Sequence, residues 1–502
     1  MQISKSDYLM FLKHPAWLWL KKHSPEKLPP VTDDIQAIFD AGFLFESYAE
    51  QLFPDATRLG FDNFDEYRTL TARTKEAVDS GAKTIIQGRF EAGNITCICD
   101  VLVRGDDGSF DLYEIKSSTL AKPEHERDLA FQVEVIEGAG YKVDQVFIIH
   151  VNYEYVKNGE IEAEKLAKTT EVTDKIKKLK EFTQDNIAKA VGVAKSKECP
   201  SISPSNSSPG AFSDWLDIYK TLAEIEEYSI YHLCSPKVDM ISQLEALGVS
   251  RISEIPDDFN LNEKQRRQVH ATKNNEVFVN SQRIKEFLKT LKFPLYFLDY
   301  ETLSSVVPYF DGLGPYKQLP FQYSLHVLDK PNGDAKHFEY LHTENSNPIK
   351  PLTKTLKSQI GTEGTVLVWF EGFEKSCNEL MGKIHPEYEK FYHDVNARVV
   401  DLMTPFSTGS YVHKDFFGSA SIKKVLPALI PELSYKDLDI NQGAAAQRLW
   451  TDAILGGKRE GEKEKILSDL SKYCELDTLA MVRIYQHLVE ISGESDGVKV
   501  EV

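Results

Sequence analysis

Two blocks of strand-period sequence stand far apart in the chain with helical sequence between them, a pattern that fits two α/β domains. Residues 84 to 155 hold TIIQGRF, ITCICDVLVR, FDLYEIKSS and QVFIIHVNYEYV, which read as strands, with a helical stretch around 126 to 139 among them. From residue 292, PLYFLDYET, FQYSLHVLD and TVLVWF read the same way and precede long helical segments ending in ILSDLSKYCELDTLAMVRIYQHLVEI. Residues 221 to 290 look all helical, and residues 1 to 53 carry apolar residues at helical spacing in IQAIFDAGFLFESYAEQLF. At 502 residues the chain also exceeds the usual size of one core. The pattern predicts an α/β domain over 1–220, a helical connector over 221–290 and a second α/β domain over 291–495.

Composition narrows the function classes. With 41% hydrophobic and 27% charged residues the chain is ordinary for folding in water, and no apolar run reaches the roughly 20 residues that span a bilayer. The start, MQISKSDYLMFLKHPAWLWLKK, mixes charge into its apolar residues as an amphipathic helix does, and is read as mature, cytoplasmic sequence with no membrane partner. The net charge of −18 argues against a protein that coats nucleic acid by bulk attraction. It leaves room for a nuclease, whose metal site needs carboxylates and whose substrate is held by local basic patches. Six cysteines are too sparse for a disulfide framework, and Cys97 and Cys99 read as small apolar fillers of a strand. The Lys-rich run DKIKKLKEF and the cluster Lys264, Arg266 and Arg267 read as solvated faces, CPSISPSNSSPGAF as a surface loop and GESDGVKVEV as a frayed tail.

The strand LYFLDYETL carries the sharpest chemical signal. Alternation puts Asp299 and Glu301 on one face, where they repel, so something nearby must favour negative charge. In TVLVWFEGFEKSCNEL a strand, a short turn and a helix start place Glu374 near a strand edge and a helix N-terminus. In YCELD, Tyr473 and Asp477 are four apart and share a helix face. Four acids in the order Asp, Glu, Glu, Asp can converge on one cleft, and carboxylates so crowded raise each other's pKa. Two divalent cations remove that penalty, and Mg²⁺ or Mn²⁺ suits an all-oxygen shell that activates water against a phosphodiester.

At these residues the chain resembles the DEDD exonuclease superfamily, with its ribonuclease H-like fold. Asp299 and Glu301 match its DxE motif, Glu374 falls where the second motif usually has Asp, and Tyr473 with Asp477 matches the YxxxD form of the third. The resemblance implies that the acids bind two metals and that the Tyr473 hydroxyl orients the attacking water as mononucleotides leave a 3′ end. DLMTPF at 401 and GSASIKKVLPAL at 418 extend it, with Asp401 structural and Lys423 and Lys424 surface charges that touch phosphate.

The first half repeats the logic. Asp100 opens DVLVR, and Glu114 and Lys116 of FDLYEIKSS share a strand face. Hairpin-like strands would bring Asp100 beside Glu114, an acid pair with an ammonium that can hold a metal and steady charge growing on a phosphate. These residues resemble the RecB-like branch of the PD-(D/E)xK nuclease superfamily, which has a restriction-endonuclease-like fold. The resemblance implies a core of Asp100, Glu114 and Lys116, a further metal ligand in Glu46 of GFLFESYAE, and Gln132 of LAFQVEV as the glutamine that follows the core, around one or two Mg²⁺ or Mn²⁺ ions. Many relatives carry His near the helical Glu, where this chain has Phe45 beside Glu46. Many also hold an iron–sulfur cluster by four cysteines. Here His14 stands at the early position and the later region offers only Cys199, which argues against a cluster.

Together the resemblances look like a bacterial family that fuses a RecB-like domain to a DEDD-type exonuclease domain. They imply a metal-dependent DNA nuclease with a 3′–5′ exonuclease centre and a second, RecB-like centre, serving repair or defence. Two rival expectations stand beside it. One is an exonuclease that trims RNA while the first domain only grips nucleic acid. The other is a nucleic-acid-binding scaffold with decayed sites.

Overall fold

The structure, a computed structural model, describes residues 1–493 except Asn332 and Asp437, so the acidic end from residue 494, read as a frayed tail, lies outside the described residues. The chain is mixed α/β and divides into two compact units: Met1–Ile225 with Lys237–Ser242 and Ser305–Tyr316, and Glu226–Pro236 with Gln243–Ser304 and Lys317–Val502. The stretch 221–290, expected as a connector of its own, is shared between the two. A stretch of this size closes only a marginal core of its own, and its apolar residues Ile241, Leu244, Ile255 and Val269 are buried in the units instead. Among the described residues no helix is long and apolar enough to cross a membrane.

The first unit is built on a sheet whose main strands are β1 (Thr84–Ala92), β2 (Ile95–Arg104), β3 (Phe110–Lys116), β4 (Val143–Val151) and β5 (Ala167–Glu171), in that spatial order. β3 and β4 pair in parallel and the other neighbours are antiparallel. A parallel pair needs a crossover, which helix α3 (Pro123–Gly138) provides. Before the sheet come α1 (Lys5–Lys13), opened by a capping box between Ser4 and Asp7, and α2 (Asp33–Ala49), capped by Thr32. Leu129, Phe131, Val135 and Ile136 of α3 bury one face among Cys97, Cys99, Leu102 and Leu112 of the sheet. Residues 305–316 were expected in the second domain. Their apolar pair Val306 and Val307 instead joins a first-unit cluster with Phe45, Ile86, Val101 and Ile149, and Tyr316 donates to the Ser117 carbonyl.

The second unit has a five-stranded sheet of β6 (Leu295–Leu303), β7 (Leu319–Leu328), β8 (Lys336–Leu341), β9 (Thr365–Val368) and β10 (Val399–Asp401), in the spatial order β8-β7-β6-β9-β10. The first three run antiparallel, and β9 lies parallel to both β6 and β10. Every residue of β7 is buried, as its near-continuous apolar run requires of a strand covered on both faces. Helices α4 (Glu371–Ile384), α5 (Gly443–Trp450) and α6 (Lys463–Ser492) complete the frame, with α6 lying on β6 and β7. Arg267, read as a solvated charge, is instead tied down. Its Nη1 donates to the Gly409 carbonyl at 2.6 Å and its guanidinium lies 4.6 Å over the Phe278 ring, because a planar cation stacks well on an aromatic face.

Gly364 enters β9 at φ +88°, and a Cβ there would collide with the Pro294 carbonyl oxygen. Gly364→Ala is therefore expected to lower stability by roughly 2 kcal/mol or more, read as a lower urea midpoint with an unchanged m-value.

Candidate functional site

The central position of β6 gives the second unit its site. Asp299 and Glu301 point from one face, while Tyr300 between them points to the other and donates its hydroxyl to Asn378 Oδ1 at 2.8 Å. Asp477, four residues after Tyr473 on α6, meets them from above. Each of Asp299, Glu301 and Asp477 brings a carboxylate oxygen within 4.8 Å of the others, and no other trio of acid, His or Cys ligand atoms does so among the described residues.

Glu374 reaches the same cavity, of about 360 Å³, by a turn that Asp401 organises. β9 ends at Val368, and Phe370 at φ +81° reverses the chain into α4. Asp401, at the end of β10, accepts from the amides of Phe370 (3.1 Å), Glu371 (3.2 Å) and Met403 (2.9 Å). Its role is structural, since it satisfies free donors at the start of α4 and so aims Glu374. Glu374 is 2% exposed, and its Oε2 is buried with no hydrogen-bond partner. An orphaned buried carboxylate oxygen facing three more acids is the donor set a hard divalent cation fits.

The electrostatics agree with that crowding. Burial first, then Asp477, Glu374 and Glu301, push the Asp299 carboxyl well above its ordinary range. Burial and the Asp477 charge raise Glu301 to about 8. Burial raises Glu374 to about 8, with Asp401 adding to it. Asp477 rises only to about 6, because its burial is countered by hydrogen bonding from Tyr435 and by Lys423. Burial and the Asp477 charge hold the Tyr473 hydroxyl protonated, far above the usual phenol range.

One group here escaped the sequence reading, and another was placed only on the surface. Tyr435, from a loop, donates its hydroxyl to Asp477 Oδ1 at 2.6 Å, and nothing local marks it. Lys423, read as a surface charge, lines the cavity: its ammonium lies 5.2 Å over the Tyr473 ring and 5.7 Å over Tyr435 and donates to the Asn441 carbonyl at 2.6 Å. The acids draw it inward. Lys424 stays exposed.

In the first unit the register that sets Val101 opposite Tyr113 brings Asp100 beside Glu114, and the Ile115 amide donates to Asp100 Oδ2 at 2.7 Å. Lys116 Nζ bridges Glu114 Oε1 and Asp128 Oδ2, each at 2.7 Å. Gln132 donates to Glu114 Oε2 at 2.7 Å and to Asp128 Oδ1 at 3.0 Å, while its own Oε1 is buried without a partner. Glu46 of α2 accepts from Gln87, and burial with Glu50 and Glu114 nearby raises its pKa. Burial raises Asp100 as well, against the pull of Lys5 and Lys116. All five residues singled out in this half therefore belong to one neighbourhood.

Three others were missed. Asp128 sits four residues before Gln132 on α3, so helical spacing could have found it. Gln87, held at φ +58° in β1, is an outlier for a non-glycine strand residue. Lys5 Nζ reaches Glu114 Oε1 at 2.8 Å from the far end of the unit's sequence. His14, at the early position of the cluster motif, caps the following helix through the Ala16 amide at 3.1 Å and stacks on Trp215.

A family model described as "Domain of unknown function (DUF2779)" matches residues 296–421, the span that contains Asp299, Glu301, Glu374 and Asp401. Among curated proteins the chain is similar to "Uncharacterized protein MG366" of Mycoplasma genitalium, with 25% identity over 251 residues, 45% of this chain and 37% of that protein. It is similar also to "Uncharacterized protein UU173" of Ureaplasma parvum, with 26% identity over 245 residues, 44% of this chain and 35% of that protein. The "Uncharacterized protein MG366 homolog" of Mycoplasma pneumoniae matches at 27% over 220 residues, 40% of this chain and 33% of that protein. The matched stretch thus spans about a third of each curated relative's length.

Proposed function

We propose that this chain is a metal-dependent nuclease that hydrolyses DNA phosphodiester bonds at two centres. One is a DEDD-like 3′–5′ exonuclease centre on a ribonuclease H-like frame, and the other a RecB-like PD-(D/E)xK centre. The observation that carries the reading is the meeting of Asp299, Glu301 and Asp477 within 4.8 Å, with the orphaned oxygen of Glu374 in the same cavity. Left to itself, such a set holds protons it has no structural use for.

Mg²⁺ or Mn²⁺ held by Asp299, Glu301, Glu374 and Asp477 would supply the positive charge that lets all four ionise at neutral pH and that balances charge growing on the phosphodiester. The chain's own groups do the rest. Tyr473, kept protonated, holds a water by its hydroxyl for attack in line with the leaving 3′ oxygen. Tyr435 fixes Asp477 in one orientation by its 2.6 Å hydrogen bond. The Lys423 ammonium, over the two tyrosine rings, offers a phosphate a fixed positive charge. In the first centre Asp100 and Glu114 are the metal ligands, Glu46 extends the set, and the Lys116 ammonium steadies the phosphate charge while Gln132 orients Glu114.

The test is a time course on end-labelled single- and double-stranded DNA, and on RNA of the same length, with Mn²⁺ present. Asp477→Ala is expected to abolish the mononucleotide ladder from 3′ ends, and Lys116→Ala to remove only the remaining cleavage. A chain indifferent to both changes is not this nuclease, and preference for the RNA strand transfers the exonuclease centre to RNA.

A further inference from the structure

The first centre contains one cation more than its proposed chemistry uses. Lys116 already bridges Glu114 and Asp128, yet the Lys5 ammonium lies 2.8 Å from the same Glu114 Oε1 and 3.7 Å from Asp100 Oδ1. It stands between the two carboxylates that the proposed function assigns to a divalent ion. With two ammonium groups on Oε1 and the Gln132 amide on Oε2, few lone pairs of Glu114 remain free, while the Ile115 amide on Oδ2 ties down Asp100.

The backbone that delivers Lys5 is fixed from three sides. Ile3 and Ser4 pair in parallel with Ile95 and Thr96, the Ser4–Asp7 capping box starts α1, and Lys21 (3.0 Å) and Lys22 (2.6 Å) pin Asp7. The Lys5 side chain is only 22% exposed and the Glu114 side chain 1%. An ammonium placed so deliberately against a fully buried carboxylate is not a stray surface charge. Removing it without a substitute would leave Glu114 one ammonium, Lys116, beside the Gln132 amide to offset its burial.

We infer that Lys5 is the resident counter-cation of the first centre, and that it competes with Mg²⁺ or Mn²⁺ for Asp100 and Glu114. This rests on the reading of that centre as a metal site. The ion must displace the ammonium to reach both carboxylates, so Lys5 weakens metal loading there while keeping the acids compatible with burial when no ion is bound. Lys5 is in this sense a positioning residue that sets the metal affinity of its centre.

Calorimetric titration of Mn²⁺ into the full chain tests this, with Glu301→Gln and Asp477→Asn introduced so that uptake reports the first centre. Lys5→Met, which keeps the length of the side chain and removes its charge, is expected to tighten Mn²⁺ binding at least tenfold, while Lys5→Arg binds as weakly as the lysine form. Equal or weaker binding by Lys5→Met overturns the inference. A second measurement needs no change at Lys5: acylation of lysines followed by mass spectrometry should find Lys5 modified several-fold faster at saturating Mn²⁺, and unchanged protection under saturation overturns displacement. If no form takes up Mn²⁺ and Glu114→Gln makes no difference, the metal-site reading itself falls, an outcome distinct from binding that ignores Lys5.

Discussion

Asp299→Asn is expected to cut Mn²⁺-dependent release of nucleotides by roughly 10²–10³-fold or more and, in the same protein, to make the metal-free fold more stable. The two effects have one cause. Asp299 is held among Glu301, Glu374 and Asp477 in a partly buried cleft, and its carboxyl is pushed well above the ordinary range by burial and then by those neighbours. Asparagine keeps the shape and removes the proton-binding group, so the cost of holding that proton at neutral pH disappears and the fold gains stability. The gain belongs to pH 7 to 8. Near pH 3, where the carboxyl is protonated in both the folded and the unfolded chain, it should vanish. Asp401→Asn is the contrast: that carboxylate accepts three amide hydrogen bonds, so its loss should lower stability. Thermal unfolding of both variants with and without chelator, beside the nuclease assay, decides it. A loss of stability in Asp299→Asn would mean that Asp299 is a structural acid.

What could be read in advance follows the range of each signal along the chain. Asp299 and Glu301 were legible because two carboxylates on one face of a buried strand conflict with the strand itself. Tyr473 and Asp477 were legible because a four-residue spacing defines a helix face. Glu374 was legible only in its strand-turn-helix context, and its aim depends on Asp401, 30 residues from the Glu371 amide it caps. Tyr435 was invisible because it comes to Asp477 across 42 residues of sequence, and Lys5 because it meets Glu114 across 109. Nothing in SKSDY or LSYKD differs from an ordinary surface run. The place of residues 305–316 is set in the same way: whether Val306 and Val307 extend the second sheet or fill the first unit's cluster is decided by which apolar surface needs cover, a tertiary quantity without a local period.

Metal-free protein is expected to lose stability as pH rises from 6.5 to 8.5, at a slope of order 1–2 kcal/mol per pH unit, and Mn²⁺ is expected to restore it. Glu301 and Glu374 have folded-state pKa values raised to about 8, against roughly 4.3 in an unfolded chain. Between those values the folded protein binds more protons than the unfolded one, so raising the pH favours unfolding; below the unfolded value both states are protonated and the effect is absent. Buried histidines act in the opposite sense lower down. Burial depresses His14 and His326 to about 4, so the unfolded chain takes up their protons as pH falls below roughly 6.5, and stability drops there too. The window from 6.5 upward is where the cleft acids act with the least interference. Mn²⁺ held by the same acids binds only the folded chain, and at a concentration of about 100 times its Kd adds about 2.7 kcal/mol. The addition should grow with pH as the acids release their protons to the ion. Urea unfolding at a series of pH values, with chelator or with Mn²⁺, measures both slopes, and Glu301→Gln with Glu374→Gln should flatten the metal-free one. A metal-free slope near zero in wild type would mean that the four carboxylates do not crowd one another in solution, and the cleft would lose its reason to take up metal.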